Sequence, residues 1–212
     1  MSFGSDTDPA PGAGAAVPSV RARRLSQDDR RRQLIGIGLE ILATKPIHAL
    51  STDEVAARAG ISRGLLFHYF PTKQDYHAAV VRAAARRLLN AAQASPDVPA
   101  PRQLESIVAA YVGFIDRHLE PYVAFFGGGS GADPQIRAIY EEVRDVLTDR
   151  ALAASGAPAT PVTRIVVRGW WSLVESMAVD RAGSGAGSLG DLVTYAVQTL
   201  PGLLDAAGAL AG

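Results

Sequence analysis

From Ser26 onward apolar residues recur at steps of three and four, and the alternation of β-branched residues that marks strands is missing, so nearly the whole chain is predicted to be helical. A first helix is expected over about residues 28–44, with Leu34, Ile37, Leu39, Ile41 and Leu42 on a broad apolar face and Pro46 as its stop. Three clear start signals follow. Ser51-Thr52-Asp53-Glu54 reads as a capping box, with Leu50 able to staple to Val55; Ser62 caps a third helix, with Ile61 and Leu66 as its staple; Thr72 with Asp75 opens a fourth, running to about Gln93. The three prolines between 95 and 101 mark a domain boundary. Beyond it helices are expected near 103–119, 121–126, 133–155, 161–181 and 188–207, the last two as an antiparallel hairpin across the glycine-rich stretch 183–187.

The second and third helices have the parts of a helix-turn-helix. Two short helices that cross at a fixed angle need a small residue at the contact, a residue tolerant of the turn and apolar anchors beneath. Ala56, Gly60 and the set Val55, Ile61, Leu66 supply these. The third helix then presents Arg63, Gly64, Leu65, Phe67 and His68 on its outer side, a shape that fits a DNA major groove. Arg63 is the best base reader, since a guanidinium can make a bidentate contact with guanine; a phosphate contact is the equal alternative, and Gly64 lets the helix backbone come close.

Composition agrees with a globular chain: 48% hydrophobic and 20% charged residues, without the ~18 uninterrupted apolar residues of a membrane span. Residues 1–25 are expected to be a disordered, basic-ended tail and not a signal peptide, because they lack both a basic start and an apolar stretch. The absence of cysteine rules out disulfides, thiolate nucleophiles and cysteine-ligated metals, and fits a cytoplasmic location. The zero net charge conceals an asymmetry. Residues 21–73 carry ten basic against five acidic side chains, a basic head on an acidic body, as expected when one end meets phosphates, although a solvated arginine-rich surface has the same count.

The run from Leu50 to Lys73, with Arg58-Ala59-Gly60-Ile61-Ser62-Arg63-Gly64 and then Phe67-His68-Tyr69-Phe70-Pro71-Thr72-Lys73, resembles the DNA-binding signature of the tetracycline-repressor (TetR) family over about residues 28–80. Phe67 stands where the family often has tyrosine, which removes a hydroxyl that could reach DNA. The resemblance implies phosphate contacts from Thr52, Tyr69 and Lys73, and a DNA-contacting set of Thr52, Ser62, Arg63, Gly64, Leu65, Phe67, His68, Tyr69 and Lys73. Arg21, Arg23 and Arg24 form either an arm along the DNA or a solvated tail. It also implies homodimerisation through the last two helices, with Val162, Ile165, Val166, Gly169, Trp170, Leu173, Met177, Leu192, Val193, Ala196, Leu200, Leu203 and Leu204 shared between the dimer face and the monomer core.

The expected fold class is therefore all-α: an N-terminal helix-turn-helix domain over 26–80, its fourth helix continuing to about 94, and a larger helical ligand-binding and dimerisation domain over 95–212. Double-stranded operator DNA, a second copy and an unknown small effector are the expected partners; no membrane, cofactor, metal or catalytic role is expected. Gly127-Gly128-Gly129-Ser130-Gly131-Ala132 fits a dinucleotide-binding pattern but lacks parallel strands around it, and reads as an interhelical loop. His48, His68, His77 and His118 lack metal-ligand spacing. Tyr111, Phe114, Phe125, Phe126, Tyr140 and Trp171 are the aromatics expected to line an apolar cavity, with Glu175 either a polar anchor for its ligand or half of a dimer-interface ion pair with an arginine such as Arg168.

Overall fold

The computed structural model describes residues 25–45, 49–93, 98–123 and 133–210. His48, Phe125, Phe126, the 127–132 glycine stretch and Arg21, Arg23 and Arg24 lie outside them. Among the described residues every regular element is helical: α1 Gln27–Leu42, α2 Thr52–Ala59, α3 Arg63–Tyr69, α4 Lys73–Ala91, α5 Ala100–Arg117, α6 Leu119–Tyr122, α7 Pro134–Ser155, α8 Pro161–Ser184 and α9 Leu189–Leu210.

The helix starts follow their caps, with one correction. Thr72 and Asp75 form a reciprocal capping box: the Asp75 N–H donates to the Thr72 hydroxyl at 3.0 Å, and the Thr72 N–H donates to the Asp75 carboxylate at 3.1 Å. At α2 only half of the expected box exists. Ser51 Oγ accepts from the Asp53 and Glu54 N–H groups, but Glu54 does not reach back; its carboxylate faces Lys45 at 3.1 Å and Arg58 at 2.7 Å, two cations that outbid a single amide. Gly60 closes α2 at φ +65°, the left-handed conformation the turn requires.

Two apolar cores are threaded together by α4. The head core gathers Leu34 and Ile41 of α1, Val55 of α2, Leu66 of α3 and Tyr76 and Val80 of α4, and it also takes in Ile136 and Ile139 of α7. The body core, between α4, α5, α7, α8 and α9, is built around Tyr111, Trp170 and Trp171. The division near residue 95 is therefore one of sequence and not of packing, since α4 and α7 enter both cores. α1 and α4 are locked together: the Tyr76 hydroxyl donates to the Leu34 carbonyl at 2.8 Å, and a Cβ on Gly38 would stand 2.4 Å from that hydroxyl and 2.5 Å from a Val80 methyl.

Candidate nucleic-acid interface and ligand cavity

In the head, Ala56 is buried at the α2–α3 crossing, with Val55 and Leu66 fully enclosed beneath it. This turns Arg63, Gly64, Leu65 and His68 outward, with Phe67 and Tyr69 half-buried beside them and Lys73 exposed at the first turn of α4. Leu65 is 40% exposed and stands on the outer face of α3. Ser62 is occupied as the α3 cap, accepting from the Leu65 N–H at 3.2 Å. Thr52 opens α2 but is only 5% exposed, leaving little of its hydroxyl to meet a phosphate. Arg63 lies 3.3 Å from Asp53 and stacks its guanidinium 5.4 Å from the Phe67 ring centre, so a cation–π contact uses the ring that lacks the family's hydroxyl. The Tyr69 ring sits edge-on to His68.

The second feature is a cavity of about 140 Å³. Three expected residues, Tyr111, Phe114 and Tyr140, line it. Trp171 does not: it is 2% exposed and packs edge-to-face behind Tyr111, ring centres 5.1 Å apart, so it supports the wall. The remaining wall was not anticipated. Leu39, Leu42 and Ala43 come from the end of α1 in the head, and Val81, Ala84, Ala85, Arg87 and Leu88 come from α4. The α1 periodicity marked Leu39 and Leu42 as apolar but could not distinguish head core from cavity wall.

Glu175 does not line this cavity; it stands beyond the Tyr122 and Tyr140 hydroxyls, in the wall of a second one, and is not paired to Arg168, which instead bonds Glu141 and Asp145. Glu175 accepts from Tyr122 at 2.7 Å and from Tyr140 at 2.5 Å, with Arg144 at 3.4 Å. Burial, then Glu175, pushes the Tyr140 phenol up to about 12. Burial likewise raises Tyr111 and Tyr122 well above the usual phenol range. A second cavity of about 340 Å³ opens beyond, lined by Tyr122, Tyr140, Arg144, Ser172, Glu175 and Asp180 among others. Arg144 went unnoticed in the sequence, although its position four residues after Tyr140 on a helix was the available signal.

The last two helices sort the expected dimer residues. Trp170, Leu192, Val193, Ala196 and Leu200 belong to the monomer core, while Ile165 is 70%, Leu173 43% and Leu203 40% exposed. Tyr195, also exposed at 47%, was missed.

A basic head with an outward-facing second helix of a helix-turn-helix, on a helical body with an apolar cavity, defines the class of two-domain helical regulatory proteins. The family profile for bacterial regulatory proteins of the tetR family matches residues 34–80. Over 131 residues the chain is 30% identical to the HTH-type transcriptional activator FasR of Mycolicibacterium smegmatis, covering 61% of this chain and 60% of that protein. Over 86 residues it is 37% identical to the HTH-type transcriptional regulator BetI of Escherichia coli, covering 39% of this chain and 44% of BetI. The crystal structure of a tetR-family transcriptional regulator from Streptomyces coelicolor superposes with a TM-score of 0.77 at 28% identity, covering 88% of this chain and 85% of that one. Residues 34–80 are thus similar to the DNA-binding module of tetR-family regulators, and the chain spans about 60% and 44% of the lengths of the two curated relatives, FasR and BetI.

Proposed function

We propose that the protein is a DNA-binding transcription regulator that acts as a homodimer in the cytoplasm, gripping an operator with α3 and releasing it when a small, largely apolar effector enters the cavity between head and body. The observation that carries the reading is that Leu39, Leu42 and Ala43 of the head's own α1 form part of the cavity wall. Because Gly38 and the Tyr76–Leu34 bond tie α1 to α4, an effector that opens the seam against α5 and α7 moves the head as one body. An apolar cavity of about 150 Å³ accepts a benzene-sized guest.

The magnitudes are reachable. Switching a dimer from almost all competent to almost all incompetent takes about 5.5 kcal/mol of preference. At about 25 cal/mol per Å² this corresponds to about 220 Å² of extra apolar burial, or about 110 Å² per subunit. Release is our choice of sign: FasR is named an activator, and an activator or an effector-independent DNA-binding protein would use the same head.

In this reading Arg63 reads a base or holds phosphate, with Tyr69 and Lys73 on the backbone, Thr52 buried at the start of α2 instead of on a phosphate, and Ser62, Gly64, Leu65, Phe67 and His68 completing the docking face. The exposed Ile165, Leu173, Tyr195 and Leu203 give α8 and α9 an apolar face for the second copy. Selecting duplexes from a random pool tests the proposal: a two-fold symmetric site, bound with a steep salt dependence, is expected. Recovery of no enriched sequence would overturn it.

A further inference from the structure

Among the described residues three polar rungs join α4 to α7. The Gln135 side-chain amide donates to Asp75 at 3.2 Å, Arg82 donates to Glu142 at 2.7 Å, and Arg150 donates to the Leu89 carbonyl. The partners are 60, 60 and 61 residues apart, so the two helices run parallel and keep one register throughout. Successive rungs on α4 are about two helical turns, or about 10 Å, apart. The outer two act at the helix ends. Asp75 belongs to the capping box of α4, its other oxygen held by Thr72, and Leu89 supplies one of the last carbonyls of α4, groups that a helix leaves to outside donors. Sliding α4 along its axis would break all three rungs together, whereas tilting it about one end breaks only the others. The rungs are unequal. Arg82–Glu142 and Asp75–Gln135 lie at the surface, where solvent screens them, but Arg150 is half-buried and its charge also favours a helix C-terminus. The cavity lies beside the middle rung: Val81, Ala84 and Leu88 of α4 and Ile139, Tyr140 and Val143 of α7 are in its wall. With Leu89 as the fixed end, parting the middle rung by about 1 Å tilts α4 by about 5° and carries its start through about 2 Å. The α3 helix follows, because Leu66 shares the head core with Tyr76 and Val80.

We infer that the Asp75–Gln135 and Arg82–Glu142 rungs are a latch. They hold α4 on α7 in the arrangement that fits DNA and set how much effector is needed to part the seam, and the Arg150–Leu89 bond is the pivot about which the head swings. This inference rests on the reading of the cavity as the effector site. Its signature is one-sided. Without a guest the latched form prevails, so weakening the latch barely changes the grip on DNA, whereas the apparent affinity of a guest that needs the open form rises in proportion to the open fraction. A lesion at the surface, away from the cavity wall, therefore makes the guest bind better.

The test uses the full chain with 1-octanol as the probe, calorimetry for its binding and anisotropy of a selected duplex for release. Glu142→Arg turns the middle rung from attraction to repulsion. It should tighten 1-octanol about three- to tenfold and lower by the same factor the concentration that releases the duplex, while duplex affinity without the probe stays within about twofold. Misfolding cannot imitate that gain. Arg82→Glu combined with Glu142→Arg restores an opposite pair and should return both values to those of the parent. The chain has no cysteine, so Arg82→Cys with Glu142→Cys can be bridged by a short bis-maleimide. The bridged chain should still bind the duplex but take up 1-octanol at least about tenfold more weakly and fail to release. Unchanged 1-octanol affinity in Glu142→Arg, or a bridged chain that still releases the duplex, overturns the latch and leaves the cavity as the effector site. Ala84→Phe, which fills the cavity, tests the underlying reading and should abolish binding of the probe. If 1-octanol binds Ala84→Phe as it binds the parent, or never binds the parent, that reading fails and the latch with it.

Discussion

Gly36 and Gly38 are two residues apart on α1, and replacing each with alanine should have opposite effects. At Gly36 an added Cβ meets nothing within 4 Å, so alanine should stabilise α1 by up to about 1 kcal/mol through helix propensity. At Gly38 the same atom would stand 2.4 Å from the Tyr76 hydroxyl and 2.5 Å from a Val80 side-chain carbon, and both rings and methyls there are fully buried. α1 must back away from α4. Overpacking of this kind costs about 1–3 kcal/mol, and losing the Tyr76–Leu34 bond costs about 1 kcal/mol more. The propensity gain is common to both variants, so they should differ by about 2–4 kcal/mol, or roughly 4–16 °C in midpoint for a chain of this size. Urea and thermal denaturation followed by circular dichroism measure the difference, and binding to a selected duplex reports whether Gly38→Ala uncouples the head. Equal stability of the two variants would refute the close α1–α4 contact and with it the claim that the head moves as one body with α4.

Lys73→Ala should weaken binding to all duplexes and lower the salt slope by about one unit, whereas Arg63→Ala should cost about 1–3 kcal/mol and relax preference at one symmetric pair of positions; equal loss on selected and random duplexes would show that Arg63 holds phosphate only. Asp53→Asn should strengthen binding to every duplex, measured by anisotropy, because it removes the anion 3.3 Å from Arg63 and a like charge beside the phosphates. Ile165→Arg with Leu173→Glu should shift the chain from dimer to monomer in sedimentation velocity without unfolding it, since both side chains are exposed in the monomer. Burial, first, and Lys73 lower the pKa of His77 against the opposing pull of the Leu50 carbonyl it bonds and of Asp133, so the unfolded chain takes up its proton first as pH falls. His77 therefore contributes stability above about pH 6.5 that is lost as pH falls below it, and urea midpoints measured from pH 8 to 5 should fall less steeply in His77→Gln.

The head was legible in the sequence because its signals are local. Ser51, Ser62, Thr72 and Asp75 act on backbone groups two or three residues away, and Gly60 acts on its own φ, so position along the chain is enough to place them. The Glu54 half of its box failed because Lys45, nine residues upstream, competes for the carboxylate through a turn that periodicity does not describe. The cavity was legible only in part for the same reason. Clustering of aromatics pointed to Tyr111, Phe114 and Tyr140, but burial decides between wall and core: Trp171 has the same chemistry and lies one layer behind. The α1 and α4 contributions depend on how two cores share α4, and the Arg144–Glu175 pairing bridges 31 residues of sequence. In α8 and α9 the apolar positions run around most of each helix, so only packing could divide Trp170 and Ala196 from Ile165 and Tyr195.

The central claim, that occupancy of the cavity controls the grip of α3 on DNA, is tested most directly by one titration. A labelled duplex selected by the purified chain is held at fixed salt while 1-octanol is added, and its affinity is read by fluorescence anisotropy. A saturable fall of about 10–100-fold is expected, absent in Ala84→Phe although that variant still binds the duplex. An affinity that stays constant while calorimetry shows the cavity filled would contradict the account.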